Sequence, residues 1–128
     1  MKPTRTLLAT ALLLALGAAG PAFAHAKLVS STPTANATVA KPGKIILVFS
    51  EKLMAKFAKA ELTMTGMPGM ADHQPMKMSG FTTAMSADGK SMTLLMKRAL
   101  TSGTYEVKWA AAGADTHRQE GSFTFSVK

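Results

Sequence analysis

The chain has 128 residues, 15 Lys and Arg against 7 Asp and Glu, ten methionines and no cysteine. That length suits a single compact domain, and the lack of cysteine excludes disulfides, thiolate nucleophiles and thiolate metal sites. The basic residues form no long run, and no aromatic stacking platform interleaves them, so nucleic acid is not an expected partner.

In chain order, Lys2 and Arg5 precede an apolar run from Leu7 to Leu16, and Ala22-Phe23-Ala24 closes the segment. A charged start, an apolar stretch too short to span a bilayer and a small-x-small end read as a secretory signal peptide over residues 1–24. Its removal leaves one domain, residues 25–128, with thirteen basic and seven acidic side chains. No later apolar stretch is long enough to cross a membrane as a helix, so the processed chain is not expected to be membrane-embedded.

Within that domain, Lys27 to Ser30 reads as a first short strand, followed by a loop through Thr32-Pro33 and Pro42-Gly43. Lys44 to Ser50, rich in β-branched and aromatic residues, reads as a buried strand. A turn of helix over Lys52 to Ala58 and a strand over Glu61 to Thr65 follow. Phe81 to Ser86 and Ser91 to Met96 flank Ala87-Asp88-Gly89-Lys90, a hairpin signal because Asp-Gly tolerates positive φ. In the first of the last two strands, Gly103 to Ala110, Tyr105, Val107 and Trp109 share one face. In the second, Ser122 to Lys128, Phe123, Phe125 and Val127 point inward. About seven short strands with frequent turns predict an all-β fold, a small antiparallel Greek-key sandwich or barrel.

Three places carry chemistry. His25 becomes the first residue after cleavage, and a free N-terminal histidine chelates through its α-amine and Nδ1 together, a nitrogen pair suited to Cu(II). Asp115-Thr116-His117 places a carboxylate and an imidazole two residues apart, on one side of an extended segment; Asp115 either ligates or orients a ligand. The third is the run Met64 to Met78, with five methionines and His73 among Pro and Gly residues that oppose a helix or a central strand. Methionines at strand spacing are core filler, which is the reading for Met92 and Met96 beside Leu94. Thioethers on an irregular exposed loop instead suit Cu(I), or an apolar docking partner.

The start His25-Ala26-Lys27-Leu28-Val29-Ser30-Ser31-Thr32-Pro33, the Phe49-Ser50-Glu51 tripeptide, the M-x-x-M-P-G-M segment and the closing W-x5-D-x-H with G-S-F-T-F-S-V together resemble the CopC/PcoC copper-resistance family over nearly the whole processed chain. The resemblance implies an immunoglobulin-like or cupredoxin-like periplasmic domain that holds copper without catalysing a reaction. Its Cu(II) ligands would be His25, Asp115 and His117, with Glu51 at the position of an acidic residue sometimes assigned to that site; the F-S-E turn also suits a strand cap or an intermolecular contact. Its Cu(I) ligands would be Met64, Met67, Met70, His73 and Met76, although Ala71-Asp72 inserts one residue more than the family pattern before His73. An inner-membrane copper transporter or a periplasmic multicopper oxidase would exchange copper with it. The competing class is a copper-dependent oxidative enzyme, since an N-terminal histidine with a second histidine also forms the copper brace of polysaccharide monooxygenases. One Trp and one Tyr make a poor carbohydrate platform, and Asp115 fills a position that oxygen activation needs open.

Overall fold

The computed structural model describes residues 25–70 and 74–128. The predicted signal peptide, residues 1–24, and His73 lie outside them. Among the described residues nine strands form two sheets: β1 (Leu28–Thr32), β2 (Thr38–Val39), β3 (Lys44–Phe49), β4 (Lys59–Gly66), β5 (Met76–Met78), β6 (Phe81–Met85), β7 (Ser91–Met96), β8 (Gly103–Ala112) and β9 (Arg118–Val127). One sheet has the order β1-β3-β7-β6 and the other β2-β9-β8-β4-β5. The chain passes repeatedly from one sheet to the other, so neither could bury its apolar face without its partner. No helix among the described residues is long and apolar enough to cross a membrane.

Period-two alternation sets which side chains enter the core. Ile45, Leu47 and Phe49 of β3 and Met92 and Leu94 of β7 face Leu62 and Met64 of β4, Tyr105 and Val107 of β8, and Phe125 and Val127 of β9. Full burial of each such side chain contributes about 1.5–3 kcal/mol. Met92 is fully buried and Met96 packs half buried against the same cluster, as expected of core methionines. Tyr105 stacks on Phe125 at 5.6 Å between ring centroids. Its hydroxyl donates to the Thr101 carbonyl at 2.7 Å, so a buried polar atom is satisfied.

Seven strands match the predicted ones, and two short strands are additional. Thr38–Val39 pairs parallel with Ser126 and Val127 of β9 inside the predicted loop, and two residues are too few to show periodicity. Met76–Met78 pairs with β4 inside the predicted irregular methionine segment. The predicted turn of helix shrinks to a 3-10 turn at Ala55–Phe57. β9 starts four residues early because its ladder with β8 continues to Ala112↔Arg118.

Trp109 turns inward as expected, edge-on to Phe49 at 5.2 Å. It lies across Gly121, where an added Cβ would stand 2.5 Å from Trp109 Cζ2. The predicted hairpin joins β6 to β7, with Gly89 at φ +71°. Asp88 accepts from the Ser86 hydroxyl and, at 3.0 Å, from the Lys90 amide.

Strand directions separate the two ends of the sandwich. The start of β1, the end of β3, the start of β4, the end of β8 and the start of β9 meet at one end. The end of β4, the start of β5, the end of β7 and the start of β8 meet at the other. At about 3.3 Å per residue, the eight-residue β4 puts the ends ~25 Å apart.

Candidate metal centres

The first end gathers His25, Asp115 and His117, whose ligand atoms all lie within 4.8 Å of one another. Ala26 is fully buried. The Lys27 amide donates to Ser50 Oγ at 3.0 Å and the Ser50 amide to the Lys27 carbonyl at 2.9 Å. This two-bond clamp on the F-S-E turn holds the residue before Ala26 over the mouth of the sandwich. There the His25 ring donates from Nδ1 to Asp115 Oδ2 at 2.8 Å.

Asp115 and His117 converge through a turn and not through strand alternation, which corrects the extended segment expected from the sequence. Thr116 is left-handed, at φ 61°, and its amide donates to the Gly113 carbonyl at 3.0 Å. The His117 amide donates to Asp115 Oδ1 at 3.2 Å. His117 Nδ1 lies 3.7 Å from the same Oδ2 that His25 contacts, and the two imidazoles stand 5.0 Å apart, tilted by 52°.

Asp115 forms the floor, with its side chain 7% exposed, while His25 and His117 are open to solvent at 49% and 70%. Burial pushes its carboxyl upward. The His25 hydrogen bond, the His117 amide and the two nearby imidazoles outweigh that and hold it below its ordinary 3.8. An ionised acceptor is therefore set between two nitrogen donors.

The donor set fits a metal. Ligands bound at about 2.0–2.1 Å sit ~2.9 Å apart when adjacent and ~4 Å apart when opposite in a square plane, and the observed 2.8 and 3.7 Å lie close to those two spacings. Glu51 is not one of the three converging residues. Its Cβ borders Gly113, 3.7 Å from where a side chain there would begin, so it stands beside the turn that carries Asp115.

The opposite end carries the methionines. Met67 and Met70 exchange amide-to-carbonyl bonds of 3.0 and 2.9 Å across Pro68-Gly69, with Gly69 at φ +80°. Pro followed by a left-handed Gly is a type II turn. Met64 stands opposite Met76 in the β4–β5 ladder. Met64 and Met76 thus form a cross-strand pair and Met67 and Met70 a bridge across a tight turn, in place of the irregular loop expected from the sequence. Met67, Met70 and Met76 are exposed, at 37%, 53% and 52%, but Met64 is 6% exposed and belongs to the core, which corrects the expectation that the whole run is presented to solvent. The signal for this was available: Met64 follows Leu62 at strand spacing.

Two features of the first site had weaker signals. Ser50 could be recognised only as part of the F-S-E tripeptide, and the left-handed backbone of Thr116 had no sequence signal, since threonine rarely adopts it.

Together these features define a small β-sandwich metal-binding domain with an imidazole–carboxylate cluster at one end and a thioether cluster at the other. Residues 28–128 match the CopC domain, and the chain belongs to the CopC family. It is 49% identical to copper resistance protein C of Escherichia coli over 115 residues, covering 90% of each chain. It is 46% identical to copper resistance protein C of Xanthomonas campestris pv. juglandis, covering 97% of each. Among solved structures it is similar to PcoC, a methionine-rich copper resistance protein from E. coli, at 48% identity and a TM-score of 0.74, covering 82% of this chain and all of that one. CopC from Methylosinus trichosporium OB3b shares the fold at 24% identity and a TM-score of 0.63, covering 81% and 94%.

Proposed function

We propose that the protein is a periplasmic copper carrier that contributes to copper resistance, holding Cu(II) at the His25 end and Cu(I) at the methionine end. The convergence of His25, Asp115 and His117 on one point is the observation that carries this reading. Cleavage after residue 24 would turn the His25 amide into an amine, adding a second nitrogen from the same residue. Two linked nitrogens, an imidazole and a carboxylate make a donor set that favours Cu(II). Glu51 stays outside that set as a neighbouring charge.

Thioethers favour the reduced ion. Met67, Met70 and Met76 provide solvent-facing donors, Met64 would be the inner one, and His73 completes the set assigned from family resemblance. The domain is read as a binder and not an enzyme: Asp115 stands beside both imidazoles, where it would fill a position that oxygen activation by copper needs open. An inner-membrane copper transporter or a periplasmic multicopper oxidase would give or take the ion.

The test is a Cu(II) titration of the exported protein followed by electron paramagnetic resonance, beside a form carrying one extra residue before His25. The expected result is a simpler nitrogen hyperfine pattern, with one nitrogen donor fewer, and weaker binding in the extended form. Equal spectra and affinities would refute the amine's role.

A further inference from the structure

At the methionine end, an apolar groove runs between the β5–β6 connection and the segment that joins β7 to β8. Met78, Phe81, Met96 and Leu100 line it, and Lys97 and Arg98 stand on its rim. Its walls are fixed to the framework: Phe81 pairs with Met96, the Lys97 amide donates to the Gly80 carbonyl at 2.9 Å, and the Leu100 amide donates to the Pro42 carbonyl. The groove is therefore pre-formed, which lowers the ordering cost of filling it.

Charge is segregated around it. Lys97 and Arg98 are exposed, and among the described residues neither forms an ion pair. The exposed Lys44, at the start of β3, lies at the same end through its pairing with Leu95. None of the described side-chain carboxylates lines the groove. Glu51, Asp88 and Asp115 belong to the opposite end, and Glu61, Glu106 and Glu120, on the sheet that contributes Met78, each pair with a neighbouring Lys or Arg.

We propose that this groove docks an acidic, extended segment of a partner protein, with apolar side chains on Met78, Phe81, Met96 and Leu100 and carboxylates on Lys97 and Arg98. A second copy meeting the groove by the same end would bring like charges to the rim, and the acidic far end of a copy presents Asp88 and Asp115 in tight turns, not as an extended segment that could fill the groove. A lipid surface would meet the rim cations but leave the concave apolar lining unfilled. The binding stands on the groove itself; its purpose rests on the Cu(I) reading above. Met78 lines the groove two residues after Met76, so a seated segment bearing its own thioethers would lie beside the exposed donors.

The test uses the exported protein, isotope-labelled, and a synthetic peptide alternating glutamate with leucine and methionine. Amide shifts are expected at Met78, Phe81 and Met96 to Leu100. In the double variant Lys97→Glu, Arg98→Glu the affinity should fall ~10-fold or more, since like charges now face the probe. Cu(II) binding at the far end reports that the variant is folded, and its Cu(I) affinity should match that of the parent.

Absence of shifts at millimolar peptide overturns the proposal, as do equal shifts from a peptide with lysine in place of glutamate. Shifts produced only by phosphatidylglycerol vesicles, or only by raising the protein concentration, overturn it in favour of a membrane or a second copy. Loss of Cu(I) binding in the parent would defeat the carrier reading while leaving the peptide result intact.

Discussion

His25 Nδ1 and Asp115 Oδ2 lie 2.8 Å apart although 90 residues separate them in the chain. Each is held by its own local bonds, His25 by the clamp on the strand that follows it and Asp115 by its own turn. Replacing Asp115 with Ala removes the acceptor from between two nitrogens. A drop of ~10–100-fold in Cu(II) affinity is expected, measured by competition with a chromophoric chelator. Unchanged affinity would show that the carboxylate neither ligates nor orients.

Ser50 is not itself a predicted ligand, yet it clamps the chain two residues after His25. Ser50→Ala leaves the Ser50 amide bond to Lys27 in place and deletes the hydroxyl acceptor, a loss of about 0.5–1.5 kcal/mol. A purely structural role would lower the melting temperature alone. A positioning role also weakens Cu(II) binding, with the Cu(I) affinity at the other end unchanged; equal Cu(II) affinities in parent and variant would remove Ser50 from the site.

Gly121 is required by packing rather than by backbone conformation. An added Cβ would stand 2.5 Å from Trp109 Cζ2, so Gly121→Ala must displace the indole from its edge contact with Phe49. Overpacking of this kind costs about 1–3 kcal/mol. A lower urea midpoint with a shifted emission maximum for the single tryptophan is the expected outcome, and a parent-like midpoint would mean that the indole moves aside freely.

Sequence patterning exposed the framework because long strands repeat their alternation: Ile45, Leu47 and Phe49, or Tyr105 and Val107, are readable without coordinates. Thr38–Val39 and Met76–Met78 were not readable, since such short strands exist only where β9 or β4 offers a ladder. The three ligand candidates of the first site were legible as residue types. Their convergence was suggested by the D-x-H spacing and the family resemblance, but the turn that produces it was not legible, because it depends on a left-handed Thr116 and on burial of Ala26. Met64 shows the opposite limit: its neighbours Met67 and Met70 made it look like part of a loop, while the packing of β4 takes it into the core.

Asp88 gives a pH-dependent contribution from the β6–β7 hairpin, through partners that are not candidate ligands. The Ser86 hydroxyl and the Lys90 amide hold its carboxyl below the ordinary 3.8. A carboxyl whose pKa is depressed by folding stabilises the native state above its unfolded pKa, and that contribution is lost as pH falls through the folded value. The stability advantage of the parent over Asp88→Ala should therefore be constant at neutral and mildly acid pH and shrink below pH 3.8. Paired thermal melts across that range decide it; an advantage independent of pH down to full protonation would mean that the charge is irrelevant to the turn.

The two methionine pairs separate surface donors from a core residue. Met67→Leu and Met70→Leu replace exposed side chains, and stability should change by less than ~0.5 kcal/mol. Their Cu(I) affinity should fall, because leucine has nearly the same shape but no sulfur. Met64→Leu alters a residue 6% exposed whose terminal methyl approaches Gly103, so a cost of up to ~1.5 kcal/mol is expected from repacking. If Met64 is the inner donor, this variant also loses Cu(I) affinity, and the parent should show a changed environment at Gly103 on loading. Loss of stability with full Cu(I) affinity would leave Met67, Met70 and Met76 as the described thioether donors and return Met64 to the core alone.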